Sequence, residues 1–216
     1  MLTVDEAIRQ RRSIRSFRPD PVPEEHILEM LEAARLAPSG GNSQPWRFLV
    51  VTDTEEKKKL RQVAVDQEFV ETAPVVFICA ADMKAYSRRA MTRRFQEFVD
   101  FGILETLSGD FADPEYRKQY ESRVANIDQA TLVQMAVANT YIAIEHLVLT
   151  ATALGLGSCW VGAVDQGEVR NFFNLPENVI IVALVPVGYP TKVPPLRPRV
   201  AMDEILLRPV RAVARA

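Results

Sequence analysis

The segment Arg11–Arg15, RRSIR, combines guanidinium and hydroxyl groups at a spacing that suits an anion. In an extended backbone, successive side chains point to opposite sides, so Arg11, Ser13 and Arg15 would share one side. A phosphomonoester carries a charge of about −1.5 to −2 at neutral pH and several acceptor oxygens, which two guanidiniums and a hydroxyl can match. The spacing therefore indicates a phosphate site, although a basic pentapeptide by itself is more often a solvated face.

The loop 38–46, PSGGNSQPW, has a composition that suits a flat ligand. Gly40 and Gly41 remove side chains that would block such a ligand. Asn42 and Gln44 offer amide donors and acceptors beside them. Taken alone, the segment is merely a loop, so its significance depends on what lies near it.

Two further segments carry features that are weak in isolation. Gly155–Gly162, GLGSCWVG, places small residues around one tryptophan, a pattern that most often reflects packing. Arg197–Arg199, RPR, carries two guanidiniums on a tail that could return to the anion bound by Arg11–Arg15. Arginine suits such a contact because its planar donors match phosphate oxygens in pairs.

The sequence lacks the motifs of several other kinds of catalysis. His26 and His146 lie in separate helical patterns, so no metal-binding pair such as H-E-x-x-H is present. Neither the G-K-[ST] of a P-loop nor the G-x-S-x-G of a hydrolase occurs. Gly155-x-Gly157 lacks the third glycine of a dinucleotide fingerprint and follows a helical pattern, where a strand is required. Chemistry must therefore come from a bound organic cofactor, or the protein has none.

The helices and strands that would position these segments are predicted from hydrophobic periodicity and from the positions of prolines. A short amphipathic helix ends near Arg11, and the next residues should be extended because Pro19 follows. The apolar run 74–81 is typical of a strand covered on both faces, and helix 128–154 is apolar on several sides, so one neighbour could be another subunit. Helices are also predicted from Pro23 to Pro38, from Thr54, irregularly over 84–125 and from Asp165, strands over 48–51 and 179–187, and an extended tail from Pro190.

Composition limits the partners and the location. With 26 basic and 28 acidic residues, the net charge of −2 provides no global field for nucleic acid or an anionic membrane. Cys79 and Cys159 are too few for a disulfide framework, which favours a reducing cytoplasm. The uncharged stretch 147–164 reaches the lower limit for a membrane span, but its glycines and threonines favour a buried helix end, a turn and a strand. The length favours one domain over 1–216.

The four segments, in their order and character, resemble the nitroreductase family of FMN enzymes across essentially the whole chain. The resemblance rests on AIRQRRSIRSF, PSGGNSQPWRF, ALGLGSCWVG and the arginines of the tail. It implies an α+β fold with a central mixed β-sheet flanked by helices, in an intertwined homodimer with two FMN sites at the interface. It also implies that residues 84–126 form a helical cover over the flavin, for which ordinary helix packing is the alternative interpretation, and that 190–216 form an extended C-terminal arm.

The resemblance implies which residues contact the cofactor. In the family, the glycine loop usually reaches the flavin of the other subunit, the tryptophan segment lies along the isoalloxazine, and the tail joins at the phosphate. The implied contacts are Arg11, Arg12, Ser13, Arg15, Pro38, Ser39, Gly40, Asn42, Gln67, Cys159, Trp160, Val161, Gly162, Arg197 and Arg199. Two features depart from particular branches: Gly162 and Ala163 replace a Glu-Gly pair, and the Glu-x-x-x-Tyr spacing of the iodotyrosine deiodinase lid is absent.

The resemblance further implies ping-pong chemistry. FMN would accept a hydride at N5 from NADH or NADPH and pass it to a small acceptor of the nitroaromatic or quinone type. Arg15 would place a permanent positive charge beside the N1 and C2 carbonyl side of the flavin, and no side chain stands out as a catalytic acid or base. Two alternatives stay open: a flavin-cleaving or reductively dehalogenating member, and a flavin-binding protein without NAD(P)H turnover.

Overall fold

A computed structural model of the chain describes residues 2–103 and 113–208. Helices lie at α1 Val4–Gln10, α2 Glu24–Arg35, α3 Thr54–Val63, α4 Glu68–Thr72, α5 Arg88–Asp100, α6 Pro114–Ala125, α7 Gln129–Ala153, α8 Gln166–Phe172 and α9 Met202–Ile205. Strands lie at β1 Trp46–Val51, β2 Val75–Asp82, β3 Gly157–Ser158 and β4 Val179–Gly188.

The four strands form one sheet in the order β1-β2-β4-β3, and helices cover both of its faces. Side chains alternate along β2: Val75, Phe77 and Cys79 pack on the side of α2 and α7, whereas Val76 and Ile78 pack on the side of α3, α4 and α8. The prediction of a strand covered on both faces is therefore confirmed.

The α+β class is confirmed. The expected mixed sheet would contain both parallel and antiparallel strand pairs, and the observed sheet differs in this respect. Each pairing between the four strands is antiparallel. Within the described ranges, the parallel component is a single bridge between Ser13 and Ser158. That bridge forms because the extended segment after α1 runs beside β3, as its predicted conformation allows.

Helix α7 lies against α2 and the sheet and carries residues that contact the segment 11–15 and the loop 38–46. Asp128 caps its first turn by accepting a hydrogen bond from the Thr131 N–H at 2.9 Å, and its 25 residues give a length of about 37 Å. One side packs on α2 and the sheet through residues such as Ile144, while Tyr141 and Ile142 are 46% and 40% exposed. By length and composition α7 could cross a membrane, but core helices share both properties.

The predicted cover and arm are described in part. Helices α5 and α6 confirm helical structure within 84–126, of which residues 104–112 lie outside the described ranges. Residues 192–201 contain no helix or strand, as expected of an extended arm. The short helix α9 departs from that expectation, because the Glu204 carboxylate accepts a hydrogen bond from the Ala201 N–H at 3.0 Å and initiates a turn. Residues 209–216 lie outside the described ranges, and the single-domain boundary and the role of the cover stay predictions.

Candidate functional site

The arginine segment, Arg11–Arg15, is held to the sheet by its backbone. The Ile14 N–H donates to the Ser158 carbonyl at 2.9 Å, and the Ile14 side chain is buried. Gly157 permits this close approach, since a Cβ at that position would lie 2.5 Å from Cγ1 of Ile14. Burial of Ile14 leaves the neighbouring odd-numbered residues on the opposite side of the segment.

Arg11, Ser13 and Arg15 converge around Cys159. Burial raises the pKa of the Cys159 thiol, and the positive charges of Arg15 and Arg11, together with the Ser13 hydroxyl, oppose that rise. All three side chains therefore act on the same thiol, the arginines through their charge and Ser13 through its hydroxyl. Arg11 is also oriented from α7, where Oε1 of Glu145 lies 3.8 Å from its Nε. The structure therefore brings together the three side chains that alternation places on one side.

Arg12 is directed to the end of α1. Its Nη1 donates to the carbonyls of Arg9 and Arg11 at 2.6 and 2.8 Å, which satisfies acceptors that a helix C-terminus leaves without partners. Alternation already separates Arg12 from the other arginines, whereas the family resemblance groups it with them. Its contact with a cofactor stays a prediction.

The start of α4 lies beside Arg15. The Arg15 guanidinium is 5.9 Å from the centroid of the Phe69 ring. Gln67 immediately precedes α4, and its side-chain amide donates to the Ala64 carbonyl at 2.9 Å. The Gln67 amide is thus bonded within its own turn, and its contact with the flavin ring stays a prediction.

The loop after α2 has an unusual backbone. Gly41, Asn42 and Gln44 adopt positive φ angles of 57°, 51° and 43°, a left-handed conformation that glycine and asparagine tolerate better than other residues. The Ser39 hydroxyl accepts a hydrogen bond from the Gln44 N–H at 3.0 Å, and the Gln44 side chain donates to Asn42 Oδ1 at 2.9 Å. Ser39 and Asn42 thus shape the turn that follows Pro38.

The Asn139 side chain of α7 holds this loop by hydrogen bonds. Its Oδ1 accepts a hydrogen bond from the Gly40 N–H at 3.0 Å, and its Nδ2 donates to the Tyr86 hydroxyl at 2.8 Å. The Ser43 hydroxyl lies 3.0 Å from the same phenol oxygen. Sequence reasoning missed Asn139 and Tyr86, and the available signal was an amide side chain inside an otherwise apolar stretch of helix.

The tryptophan segment runs along β4 next to the arginine segment. The N–H groups of Cys159 and Val161 donate to β4 carbonyls at 3.2 and 2.9 Å, and both side chains are buried. Trp160 alternates to the α7 side, where it is partly buried and contacts Tyr141, with ring centroids 5.6 Å apart. A Cβ on Gly162 would meet no heavy atom within 4 Å. The segment therefore presents an aromatic face followed by open space.

The arginines of the tail form hydrogen bonds within the tail itself. Arg199 donates to the carbonyls of Arg197 and Pro198 at 3.1 and 3.4 Å. Among the residues that the structure describes, neither tail arginine has a side-chain contact with the arginine segment. Their contact with the phosphate stays a prediction.

A cleft of about 500 Å³ opens beside the glycine loop. Its described walls come from Gly40 and Gly41, the residue Tyr86, and the facing sides of α5, α6 and α7. The lining is largely aromatic and apolar, with Phe95 and Phe98 from α5. Such a volume is in the range of small-molecule sites.

The comparisons with known proteins agree with this arrangement. The chain is 36% identical over 192 residues to an NADH dehydrogenase of Thermus thermophilus, covering 89% of both chains. It is 27% identical over 207 residues to an FMN reductase [NAD(P)H] of Bacillus subtilis, covering 95% of this chain and 73% of the relative. A protein of Exiguobacterium sibiricum solved in complex with FMN shares the fold, with a TM-score of 0.78, 24% identity and coverage of 95% and 97% of the two chains.

A sequence model of the nitroreductase family also matches this chain over residues 8–189. That match spans the arginine segment, the glycine loop, the tryptophan segment and the whole sheet. This chain therefore belongs to the nitroreductase family.

Proposed function

We propose that this protein is an FMN-dependent oxidoreductase, which uses NADH or NADPH to reduce a small electron-poor acceptor of the nitroaromatic or quinone type. The observation that carries the proposal is the attachment of the Ile14 backbone to Ser158 with the Ile14 side chain buried, which turns Arg11, Ser13 and Arg15 to the opposite side of the segment. Two guanidiniums and a hydroxyl match a phosphomonoester in charge and in donors. The name of the FMN reductase relative supports the same cofactor and the same donors.

The described residues fit the parts of FMN. We assign the phosphate to the arginine segment, and the flat ring to the space bounded by the tryptophan segment and by a glycine loop. The further assigned contacts are Arg12, Pro38, Ser39, Gly40, Asn42, Gln67, Cys159, Trp160, Val161, Gly162, Arg197 and Arg199. When bound, FMN supplies hydride transfer between the nicotinamide and the acceptor. Arg15 contributes a permanent positive charge, which favours the negative charge that a flavin gains with added electrons.

We propose that the protein works as a homodimer. Exposed apolar side chains occur on α7, at Tyr141 and Ile142, and on the arm, at Val193 and Leu196. A partner subunit that joined these side chains into one apolar interface would remove them from water. A partner's arm and glycine loop would complete each site. Sedimentation should give twice the chain mass of 24.3 kDa, and a monomer that retains FMN would contradict this assembly.

The cytoplasm is the location that fits the cysteines. Cys79 and Cys159 are both free and buried. A reducing compartment keeps such thiols unpaired. We therefore propose a cytoplasmic enzyme, whose partners are a second copy of the chain and small molecules.

The test is an absorbance spectrum of the purified protein, followed by anaerobic titration with NADH and with NADPH. We expect a flavin spectrum that bleaches rapidly with at least one nicotinamide. A colourless protein that cannot be reconstituted with FMN would contradict the proposal. Bound flavin that neither nicotinamide bleaches would identify a flavin-binding protein without this turnover.

A further inference from the structure

Arg94 is a buried positive charge in the wall of the cleft. The residue is 8% exposed, its Nη1 donates to the Ala85 carbonyl, and its guanidinium lies 5.8 Å from the centroid of the Tyr86 ring. Burial lowers the pKa of the Arg94 guanidinium, yet arginine keeps its proton in proteins. Across residues 2–103 and 113–208, no carboxylate forms an ion pair with Arg94; the nearby Glu97 acts on Arg94 only at longer range and pairs with Arg93 at 3.4 Å.

Arg94 lines the cleft and uses one of its donors within the protein. Among the described residues, its Nε and Nη2 have no hydrogen-bond partner, and neither atom is sealed from solvent. A buried charge without a counterion is costly unless another group compensates for it. Since Arg94 lines the cleft, an anionic group of a ligand is the compensation that this geometry offers.

The other described lining residues add a second positive charge and a surface for a flat ring. Arg88, the first residue of α5, lies at the exposed rim and forms no ion pair within the described ranges. No described residue of the lining is acidic, and the N-terminal end of α5 contributes a partial positive charge of its own. Phe95 and Phe98 provide aromatic faces between the two arginines and the glycine loop.

We propose that the acceptor is a planar aromatic compound that carries a carboxylate or a comparable anionic group. Arg94 binds the anionic group, Phe95 and Phe98 pack against the ring, and Arg88 attracts the ligand at the rim. This inference rests on the proposed function and adds the substrate class. With 4-nitrobenzoate as the acceptor, reduction to the nitroso compound consumes one NADH and one proton and releases NAD⁺ and water, while the carboxylate is unchanged.

The experiment compares 4-nitrobenzoate with 4-nitrobenzamide, which has the same ring and nitro group but no charge. The amide withdraws electrons more strongly than the carboxylate, so intrinsic reactivity favours the amide. We expect kcat/KM of the holoenzyme to favour the carboxylate by at least about tenfold, chiefly through KM, because a charged hydrogen bond distinguishes the two compounds. Equal values, or a preference for the amide, would overturn the inference.

Substitutions assign the preference to one side chain. Arg94→Met should abolish the preference for the carboxylate, and Arg94→Lys should retain part of it. Arg89→Met is the matched control, since Arg89 lies on the same helix but is exposed and is not among the described lining residues of the cleft, and it should keep the wild-type ratio. If Arg94→Met lowers kcat/KM for both acceptors equally, Arg94 is structural and the inference is wrong.

A binding measurement separates this inference from the proposed function. Calorimetric titration of the wild-type holoenzyme with benzoate and with benzamide requires neither turnover nor a folded Arg94 variant. Benzoate should bind at least about tenfold more tightly, and added salt should weaken it selectively. Failure of flavin reduction with this difference intact would contradict only the oxidoreductase, whereas normal reduction without the difference would contradict only the anionic acceptor.

Discussion

The arginine segment and the cover, defined as helices α5 and α6, are attached to the protein in different ways. The arginine segment is bonded through its backbone to Ser158. It also packs so closely on Gly157 that a side chain at that position would not fit. The cover is bonded to the preceding segment through a side chain, Arg94 on the Ala85 carbonyl, and its two helices contact each other through the rings of Phe95 and Tyr120. A backbone attachment survives changes of side chain, whereas a side-chain attachment changes with the sequence. We therefore assign cofactor retention to the first region and acceptor choice to the second.

The largest expected effect tests whether the arginine segment retains the cofactor. The double variant Arg11→Ala/Arg15→Ala removes two charged partners of the bound FMN, each contributing about 1.5–3 kcal/mol. The Kd for FMN should therefore rise at least about 100-fold, as measured by quenching of FMN fluorescence on the apoprotein. Arg9→Ala is the control, because Arg9 is exposed and pairs with Asp5 at 2.8 Å. Unchanged affinity of the double variant would place the phosphate elsewhere.

The next effect tests whether backbone packing fixes the arginine segment. Gly157→Ala places a Cβ within 2.5 Å of Ile14, and such overpacking should lower the free energy of unfolding by about 2–3 kcal/mol. Gly162→Ala, where a Cβ meets nothing within 4 Å, should change it by less than about 0.5 kcal/mol. Urea unfolding of the two apoproteins measures the difference. Equal stabilities would show that the segment shifts freely from the sheet.

The smallest effect concerns the loop between the two regions. Asn139→Ala leaves the Gly40 N–H and the Tyr86 hydroxyl without their amide partner, so the free energy of unfolding should fall by about 1–2 kcal/mol. Gln134→Ala, exposed on the same helix, should have little effect. Thermal and urea unfolding provide the measurement. A neutral Asn139→Ala would mean that α7 does not support the loop through this side chain.

The parts of the fold that could be predicted from the sequence depend on local patterns. Continuous apolar character identified β2, helical periodicity identified α7 to within a residue at each end, and the proline after the arginine segment indicated its extended form. The short helices α4 and α9 could not be predicted in the same way. Each has five residues or fewer, which is too short for a periodic signal, and α9 depends on one carboxylate accepting a nearby N–H.

In the candidate site too, local sequence patterns predicted some contacts, whereas contacts between distant parts of the chain could not be predicted. Alternation predicted that Arg11, Ser13 and Arg15 lie together, because that property depends on consecutive residues alone. The partners Glu145 and Asn139 could not be predicted, since each reaches its partner across about a hundred residues or more of chain, a spacing that only the folded arrangement determines.

Helix α7 contacts both the glycine loop and the arginine segment. These two contacts limit how the protein can be recombined with relatives. Asn139 serves the glycine loop, and Glu145, less than two turns later, serves Arg11. Inserting one residue between them would rotate the later part of the helix by about 100° and turn Glu145 away from its partner. A hybrid with exchanged specificity should therefore place its crossover points outside Gln129–Ala153 and transfer that helix intact.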